Sequence, residues 1–369
     1  MSEPSLTDRL KAHIVRELQS QGGWLPFDRY MALALYTPGL GYYANESAKL
    51  GLWPQDGSDF VTAPELSPWF GRTLGRQVGE ALAATGTDEV WEFGAGTGAL
   101  AEQVLTQLQL EHRLPRRYHI MDLSGSLRQR QQERLQPFAG IVDWLDTLPD
   151  AFTGVVLGNE VLDAMPVQLL YRRAGVWHER GVALDAAGQL AWADRPTALR
   201  PPVDVEGDHD YLTEVHPQAE AFVRTLAERW SRGAALFIDY GFPEAEYYHP
   251  QRAMGTLVCH RAHRHDDEPL VQPGLKDITA HVNFTGVALA AQEAGLEVVG
   301  YTSQGRFLIN AGLMDLAAEA PLPQRVQIAR LVNEHEMGEL FKVLALAPAG
   351  SASVWAPSGL SRGDRTHTL

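Results

Sequence analysis

Val90-Trp91-Glu92-Phe93-Gly94-Ala95-Gly96-Thr97-Gly98-Ala99-Leu100 is the stretch on which the fold turns. Glu89 to Phe93 reads as a short buried strand, and Leu100, Val104, Leu105 and Leu108 give the next segment helical periodicity. Between them stand three glycines at alternate positions. Glycine adopts left-handed dihedrals cheaply and lets a ligand touch bare backbone, so Gly94, Gly96 and Gly98 leave an open floor. The helix N-terminus beyond offers N–H donors to an anionic group. Strand, tight turn and helix in this order make a grip for a nucleotide cofactor, and a turn that only closes a strand–helix connection is the plainer alternative.

Working outward, strand and helix alternate: strand 89–93, helix 98–110, strand 117–121, helix 124–135, strand 141–144, strand 154–158. Such alternation predicts an α/β fold with a doubly wound, Rossmann-like parallel sheet. Three helices, near 5–20, 26–35 and 67–84, precede it as an N-terminal cap over 1–86, with a glycine- and aromatic-rich loop between them that could cover a pocket. A period-two pattern within 165–195 predicts an inserted antiparallel meander. The main domain, 87–349, resumes with helix 217–231 ended by Gly233 and strand 234–239. A loop insertion follows over 241–283, including the 259–267 stretch, which reads as a solvated loop because its Cys/His spacing matches no zinc pattern and its arginines oppose a cation. Helix 285–294, strand 296–301 and a late strand over 340–346 supply an edge hairpin that separates methyltransferase sheets from most nicotinamide-binding ones. The Ser-, Gly-, Thr- and Arg-rich segment 350–369 reads as a mobile tail.

Composition narrows the partners. The 369 residues carry 31 basic against 46 acidic side chains, a formal charge of −15, which disfavours nucleic acid and anionic membranes and favours a basic partner. The single Cys259 rules out an internal disulfide and points to a reducing compartment, so a cytoplasmic protein is expected. No apolar run reaches the length of a membrane span. The start of the chain, with Glu3, Asp8 and Glu17 in an amphipathic stretch, is unlike a secretory signal or an Arg-rich presequence.

Three further signals fall at strand ends. Asp122 closes the strand after the glycine turn, where an acid accepts hydrogen bonds from ribose hydroxyls of NAD or S-adenosylmethionine alike, or caps the helix that starts near Ser124. Past the third strand, Trp144 is placed to face a purine or to close one end of the sheet. After the fourth strand, Asn159-Glu160-Val161-Leu162-Asp163 bursts out of an apolar run at the carboxyl edge, where open α/β sheets bind ligands. An amide and two carboxylates there suit a nitrogen acceptor, because a guanidinium makes bidentate, charge-assisted bonds to carboxylates and a nearby carboxylate can take the departing proton. An acidic helix start favoured by the dipole is the alternative.

The E-x-G-x-G-x-G arrangement resembles the first motif of class I S-adenosylmethionine-dependent methyltransferases, with Glu92 near the methionine ammonium. G-x-G-x-x-A, with Ala99 last, equally fits the dinucleotide fingerprint. Six ordered blocks extend the resemblance to the MidA-like family, related to the mitochondrial complex I assembly methyltransferase. They are Tyr36-x-Pro38-x-x-Gly41-Tyr42-Tyr43, Asp59-Phe60-x-Thr62-Ala63-Pro64-Glu65-x-Ser67, the glycine motif, Asn159-Glu160-x-x-Asp163-Ala164-x-Pro166, Asp239-Tyr240-Gly241, and Gly274-x-x-Asp277-Ile278-Thr279-Ala280-His281-Val282-x-Phe284. The resemblance implies S-adenosyl-L-methionine as cofactor and a protein arginine as acceptor, a complex I subunit in the mitochondrial branch. Ser58 and Asn283 depart from the glycine and aspartate common in the family.

On this reading Glu92, Gly94, Gly96, Gly98, Asp122, Trp144 and Asn159 hold the cofactor, and Asn159, Glu160 and Asp163 are catalytic. Tyr42, Tyr43, Thr62, Pro64, Glu65, Asp239, Asp277, Thr279 and His281 form the substrate wall or lid, and no metal is expected. A nicotinamide oxidoreductase and a non-catalytic assembly chaperone with an acidic surface are the competing functions.

Overall fold

The computed structural model describes residues 4–45, 61–122, 125–318 and 320–369. The Ser58, Asp59, Phe60 and Ser124 expectations lie outside the described residues. The central sheet is built from β1 (Glu89–Phe93), β2 (Arg117–Met121), β3 (Val142–Leu145), β4 (Phe152–Asn159), β5 (Trp230–Phe242), β6 (Leu296–Ser303) and β7 (Phe341–Pro348). Their order in space is β6-β7-β5-β4-β1-β2-β3, with the short Val282–Asn283 strand beside the end of β5. β7 is antiparallel to both neighbours. The remaining neighbours in the series run parallel. The edge hairpin expected from the late strand is therefore present, and the chain reverses its winding between β1 and β4, where a crevice opens at the carboxyl edge.

Burial on both faces explains why these strands read as apolar runs. On one face α1 (Pro68–Thr85) and α2 (Ala99–Leu110) cover the sheet, burying Phe70, Leu74, Val104 and Leu108 against Val155, Leu157 and Val343. On the other, helices Pro217–Arg229 and Phe284–Glu293 bury Val223, Leu226, Val287 and Ala291 against Trp91, Val156, Leu344 and Leu346. The helix expected over 217–231 stops at Arg229, and Gly233 does not terminate it. Gly233 lies inside β5 with φ 143°, where a Cβ would stand 1.8 Å from the Gly154 carbonyl oxygen, so close strand approach requires the glycine.

The expected meander is an antiparallel side sheet of Gln168–Arg173, Val176–Leu184, Leu190–Pro196 and Tyr211–Val215, joined by Trp24–Pro26 from the N-terminal segment. Helices Leu6–Ser20 and Phe27–Tyr36 share one apolar core with it: Leu10, Ile14, Phe27 and Tyr30 pack with Leu169 and Val182. Cys259 joins the same core, which corrects the solvated-loop expectation. Val258–Arg261 and Arg264–Asp266 pair as an antiparallel hairpin whose Cys259 side faces inward.

The segment 350–369 is packed, not loose. Trp355 is buried, Gly359 N–H donates to Gln77 Oε1 at 3.0 Å, and Tyr301 N–H donates to Asp364 Oδ1 at 3.0 Å. Its polar residues, which suggested mobility, satisfy a backbone N–H of the edge strand and bond the Gln77 and Glu80 side chains of α1. Among the described residues, no helix is long and apolar enough to cross a membrane.

Candidate active site

The turn after β1 takes the backbone conformations its glycines permit: φ is 65° at Gly94, 55° at Gly96 and 84° at Gly98. A Cβ on Gly94 would stand 2.9 Å from Val161 Cγ2, so the turn and the segment after β4 are in close contact. Between them opens a cavity of about 1450 Å³. That exceeds the ~300–1,000 Å³ of ordinary small-molecule sites and leaves room for two reactants. Glu92, Gly94, Gly96, Asp122, Asn159, Glu160, Asp163, Tyr43, Thr62, Pro64, Glu65, Asp277 and His281 all line it.

On the β1–β2 side, Glu92 is buried and accepts a hydrogen bond from the Tyr118 hydroxyl at 2.6 Å. Burial pushes its carboxyl up to about 8, against the pull of the Tyr118 hydrogen bond. Asp122 accepts from Gln131 Nε2 at 2.8 Å. Glu65 reaches the glycine turn, accepting from the Thr97 hydroxyl and from Arg134 at 2.8 Å, so the Thr62–Glu65 segment is tied to the cavity floor. Trp144 does not line the cavity. Its indole N–H donates to Gln131 Oε1 at 2.9 Å, because the ring turns toward the helix Gly125–Arg134; Met121, Leu127, Leu145 and Asp146 form the wall instead. Gly98 also lies off the wall, where a Cβ would meet Gln131 Cα at 3.4 Å.

Beyond β4, Glu160 sits at φ 54°, a left-handed conformation costly for a residue with a side chain. Its Oε1 accepts from Asn159 Nδ2 at 3.0 Å. Burial, then the Asp163 carboxylate, raises Glu160 to about 8. Burial raises Asp163 to about 6, with the Tyr240 hydroxyl hydrogen-bonded to it and opposing the rise. Asn159 Oδ1 and Asp163 Oδ1 are buried without a hydrogen-bond partner among the described residues. Tyr43 donates to Asp277 Oδ2 at 2.9 Å and stacks on Tyr36, centroids 5.7 Å apart. The His281 ring packs on Phe242 at 5.3 Å and edge-on to Tyr240 at 4.9 Å. Burial lowers it to about 4, so the imidazole is neutral.

Three wall expectations are corrected. Asp239 is off the cavity: its Oδ2 accepts the amides of Val161, Leu162 and Asp163 at 3.1, 2.9 and 3.2 Å, anchoring the segment after β4 from below. Tyr42 is buried behind Tyr43, packed edge-on at 5.0 Å. Thr279 is buried in the strand Asp277–Thr279. The departure at Asn283 is also explained, since its side chain caps the helix Phe284–Glu293 by accepting Gly286 N–H at 3.2 Å. Aspartate would cap equally well, so no reaction chemistry rests on the difference.

Tyr118, Gln131 and Tyr240 escaped the sequence reading. Tyr118 had a signal: Val90 pairs with Tyr118 and Glu92 with Ile120, so period-two alternation sets Tyr118 on the Glu92 face. Gln131 had none, because it lies mid-helix in a polar run.

The residues present fit an adenosyl amino-acid ligand in their chemistry: left-handed glycines give a bare floor, and the Asp122 and buried Glu92 carboxyls line the same cavity. A model of S-adenosyl-L-methionine-dependent methyltransferases matches residues 73–302. The chain belongs to this family. It is 49% identical to a protein from Burkholderia thailandensis whose crystal structure holds S-adenosyl-homocysteine, with a TM-score of 0.95 and 100% of both chains covered. It is 30% identical to the Drosophila melanogaster protein named Protein arginine methyltransferase NDUFAF7 homolog, mitochondrial, over 93% of this chain and 85% of that one. The Homo sapiens Protein arginine methyltransferase NDUFAF7, mitochondrial, is 27% identical over 94% of this chain and 85% of its own length. These names overturn the cytoplasmic expectation, since the relatives are named as mitochondrial proteins; a lone buried cysteine carries no address. The methyltransferase is S-adenosyl-L-methionine-dependent, which disposes of the nicotinamide alternative.

Proposed function

We propose that this methyltransferase transfers its methyl group to a guanidinium nitrogen of an arginine in a protein, with a respiratory complex I subunit or its homologue as the substrate class. The observation that carries this reading is the pair of buried oxygens, Asn159 Oδ1 and Asp163 Oδ1, left without donors beside Glu160. A guanidinium brings five N–H donors in a fixed fork and meets that need. The curated relatives named as protein arginine methyltransferases support the same acceptor.

In this assignment Gly94 and Gly96 bear the cofactor on open backbone, with Gly98 seating the helix behind, Glu92 faces its ammonium, and Asp122 accepts from its ribose. When bound, S-adenosyl-L-methionine supplies an electrophilic methyl on a sulfonium sulfur. Asp163, ionised above about pH 6, and the Asn159 amide oxygen hold the acceptor nitrogen in line, a positioning effect worth several kcal/mol. Glu160, in the ionised form whose share grows as pH rises toward about 8, receives the proton released as the nitrogen–carbon bond forms and the carbon–sulfur bond breaks, then returns it to solvent. Asp239 keeps the segment bearing all three in place. Tyr36 and Tyr43 form the aromatic wall along the acceptor's aliphatic stem, and Tyr43 is fixed there by Asp277.

The test is to incubate the protein with methyl-labelled cofactor and a respiratory-membrane extract, then hydrolyse and chromatograph the labelled protein. Label in methylated arginine is expected. Label in lysine or in base-labile esters, or bound cofactor with no transfer, overturns the reading.

A further inference from the structure

Gln131 is completely buried and uses every polar atom of its side chain on the cofactor half of the site. Its Nε2 donates to the Gly96 carbonyl oxygen and to Asp122 Oδ2, both at 2.8 Å. Its Oε1 accepts the Trp144 indole N–H at 2.9 Å. Indole is a donor only, so it dictates which way the amide faces. Turned over, the amide would set its oxygen against a carbonyl and a carboxylate and its NH₂ against another N–H.

We infer that Gln131 is the positioning residue that aims Asp122 into the cavity and pins the Gly96 turn, with Trp144 as the lock on its direction. The inference rests on the assignment of Asp122 to the ribose. The chemistry at position 131 is narrow. Two hydrogens on one nitrogen and an acceptor beside it are what an amide supplies; glutamate would repel both Gly96 O and Asp122, and asparagine is shorter by one methylene. A lysine or arginine would bury a cation and leave the indole without an acceptor. The approach of this helix also explains Gly98, where a Cβ would crowd Gln131. Two of the three glycines are thus coupled to one glutamine that never lines the cavity. Preorganisation of this kind sets affinity because the carboxylate pays its ordering cost before the ligand arrives.

A merely structural glutamine would weaken all ligands alike, so the experiment compares two. Calorimetry measures binding of S-adenosyl-homocysteine and of its analogue lacking both ribose hydroxyls to wild type, Gln131→Met and Trp144→Phe. Wild type should prefer the ribose ligand by about tenfold or more, the worth of a charge-assisted hydrogen bond. Gln131→Met should bind S-adenosyl-homocysteine about tenfold more weakly and shrink the preference to about threefold or less. Trp144→Phe keeps an aromatic, though smaller, ring and loses the N–H, and should shrink the preference part-way; it decides the matter if Gln131→Met shows no cooperative unfolding. A preference undiminished in both variants overturns the role of Gln131 while leaving the Asp122 assignment standing. No preference in wild type overturns the Asp122 assignment and this inference with it.

Discussion

Tyr118 donates its hydroxyl to Glu92 Oε2 at 2.6 Å across neighbouring parallel strands, with both side chains sealed from solvent. The pair keeps a carboxyl buried without a cation beside it, and burial raises that carboxyl to about 8. Glu92 is therefore mostly protonated at neutral pH in the free protein. A cationic ammonium favours the ionised form, so ligand binding should release a proton. S-adenosyl-homocysteine affinity is expected to rise between about pH 6 and pH 8.5, in step with the ionised fraction of Glu92. Calorimetry in buffers of different ionisation enthalpy measures the proton released, and Glu92→Gln should abolish both the release and the pH dependence.

The glycine turn tests the contact between the two halves of the site. Gly94→Ala forces a side chain into a left-handed conformation, about 1–2 kcal/mol, and drives its Cβ toward Val161 Cγ2. Cofactor affinity should fall about tenfold. The double variant Gly94→Ala/Val161→Ala removes the clash and should recover part of that loss, which a thermodynamic cycle reads directly.

Much of this arrangement was legible in the sequence, for identifiable reasons. β4, β5 and the late strand announced themselves because a strand buried on both faces is apolar through its middle, and the left-handed turn because only glycine takes three such positions so close together. Asn159, Glu160 and Asp163 were visible as polar residues erupting from an apolar strand. What stayed hidden depends on partners distant in sequence: Asp239 reads as a site acid until three amides 76 to 78 residues away are seen to claim it. Trp144 likewise reads as a purine shelf until Gln131 takes its N–H. The segment 350–369 looked loose because polar residues that satisfy a sheet edge have the composition of a tail.

The proposed role of Glu160 as proton acceptor ties turnover to stability. Its folded carboxyl lies near 8 against an ordinary 4.5, so the native state holds a proton the unfolded chain has lost between those values. The stability of the unliganded protein that depends on this group is whole below about pH 4.5 and is lost as pH rises through about 8. Glu160→Gln should therefore gain thermal stability relative to wild type on going from about pH 5 to pH 9. The same variant should bind S-adenosyl-homocysteine within about threefold of wild type and lose roughly 10²–10⁴-fold in turnover, the usual worth of a proton acceptor. Equal loss of cofactor binding would move Glu160 out of the acceptor half.

Trp355 measures the structural weight of the last twenty residues. It is 3% exposed within the core that also holds Ala234 and Val343. Trp355→Ala should cost about 3–5 kcal/mol in urea unfolding, and removing residues 350–369 should lower the melting temperature further because Tyr301 and Gln77 lose their partners as well. A truncated protein with an unchanged melting temperature would show that the packing contributes nothing.

Asp239 offers the sharpest separation of positioning from contact. It touches no part of the cavity, yet its Oδ2 collects the three amides that set the course of Val161, Leu162 and Asp163. In Asp239→Asn either the amide NH₂ confronts three N–H groups or its single oxygen must serve all three with the NH₂ left to find a new acceptor. The segment should shift without leaving its place in the fold. A displacement near 1 Å can cost about 10²-fold in rate, so turnover should fall by roughly that factor with S-adenosyl-homocysteine affinity nearly unchanged. The discriminating measurement compares two readouts on the same variant: kcat should fall while S-adenosyl-homocysteine affinity holds. A group that only stabilised the fold would lower the melting temperature and leave kcat per folded molecule unchanged.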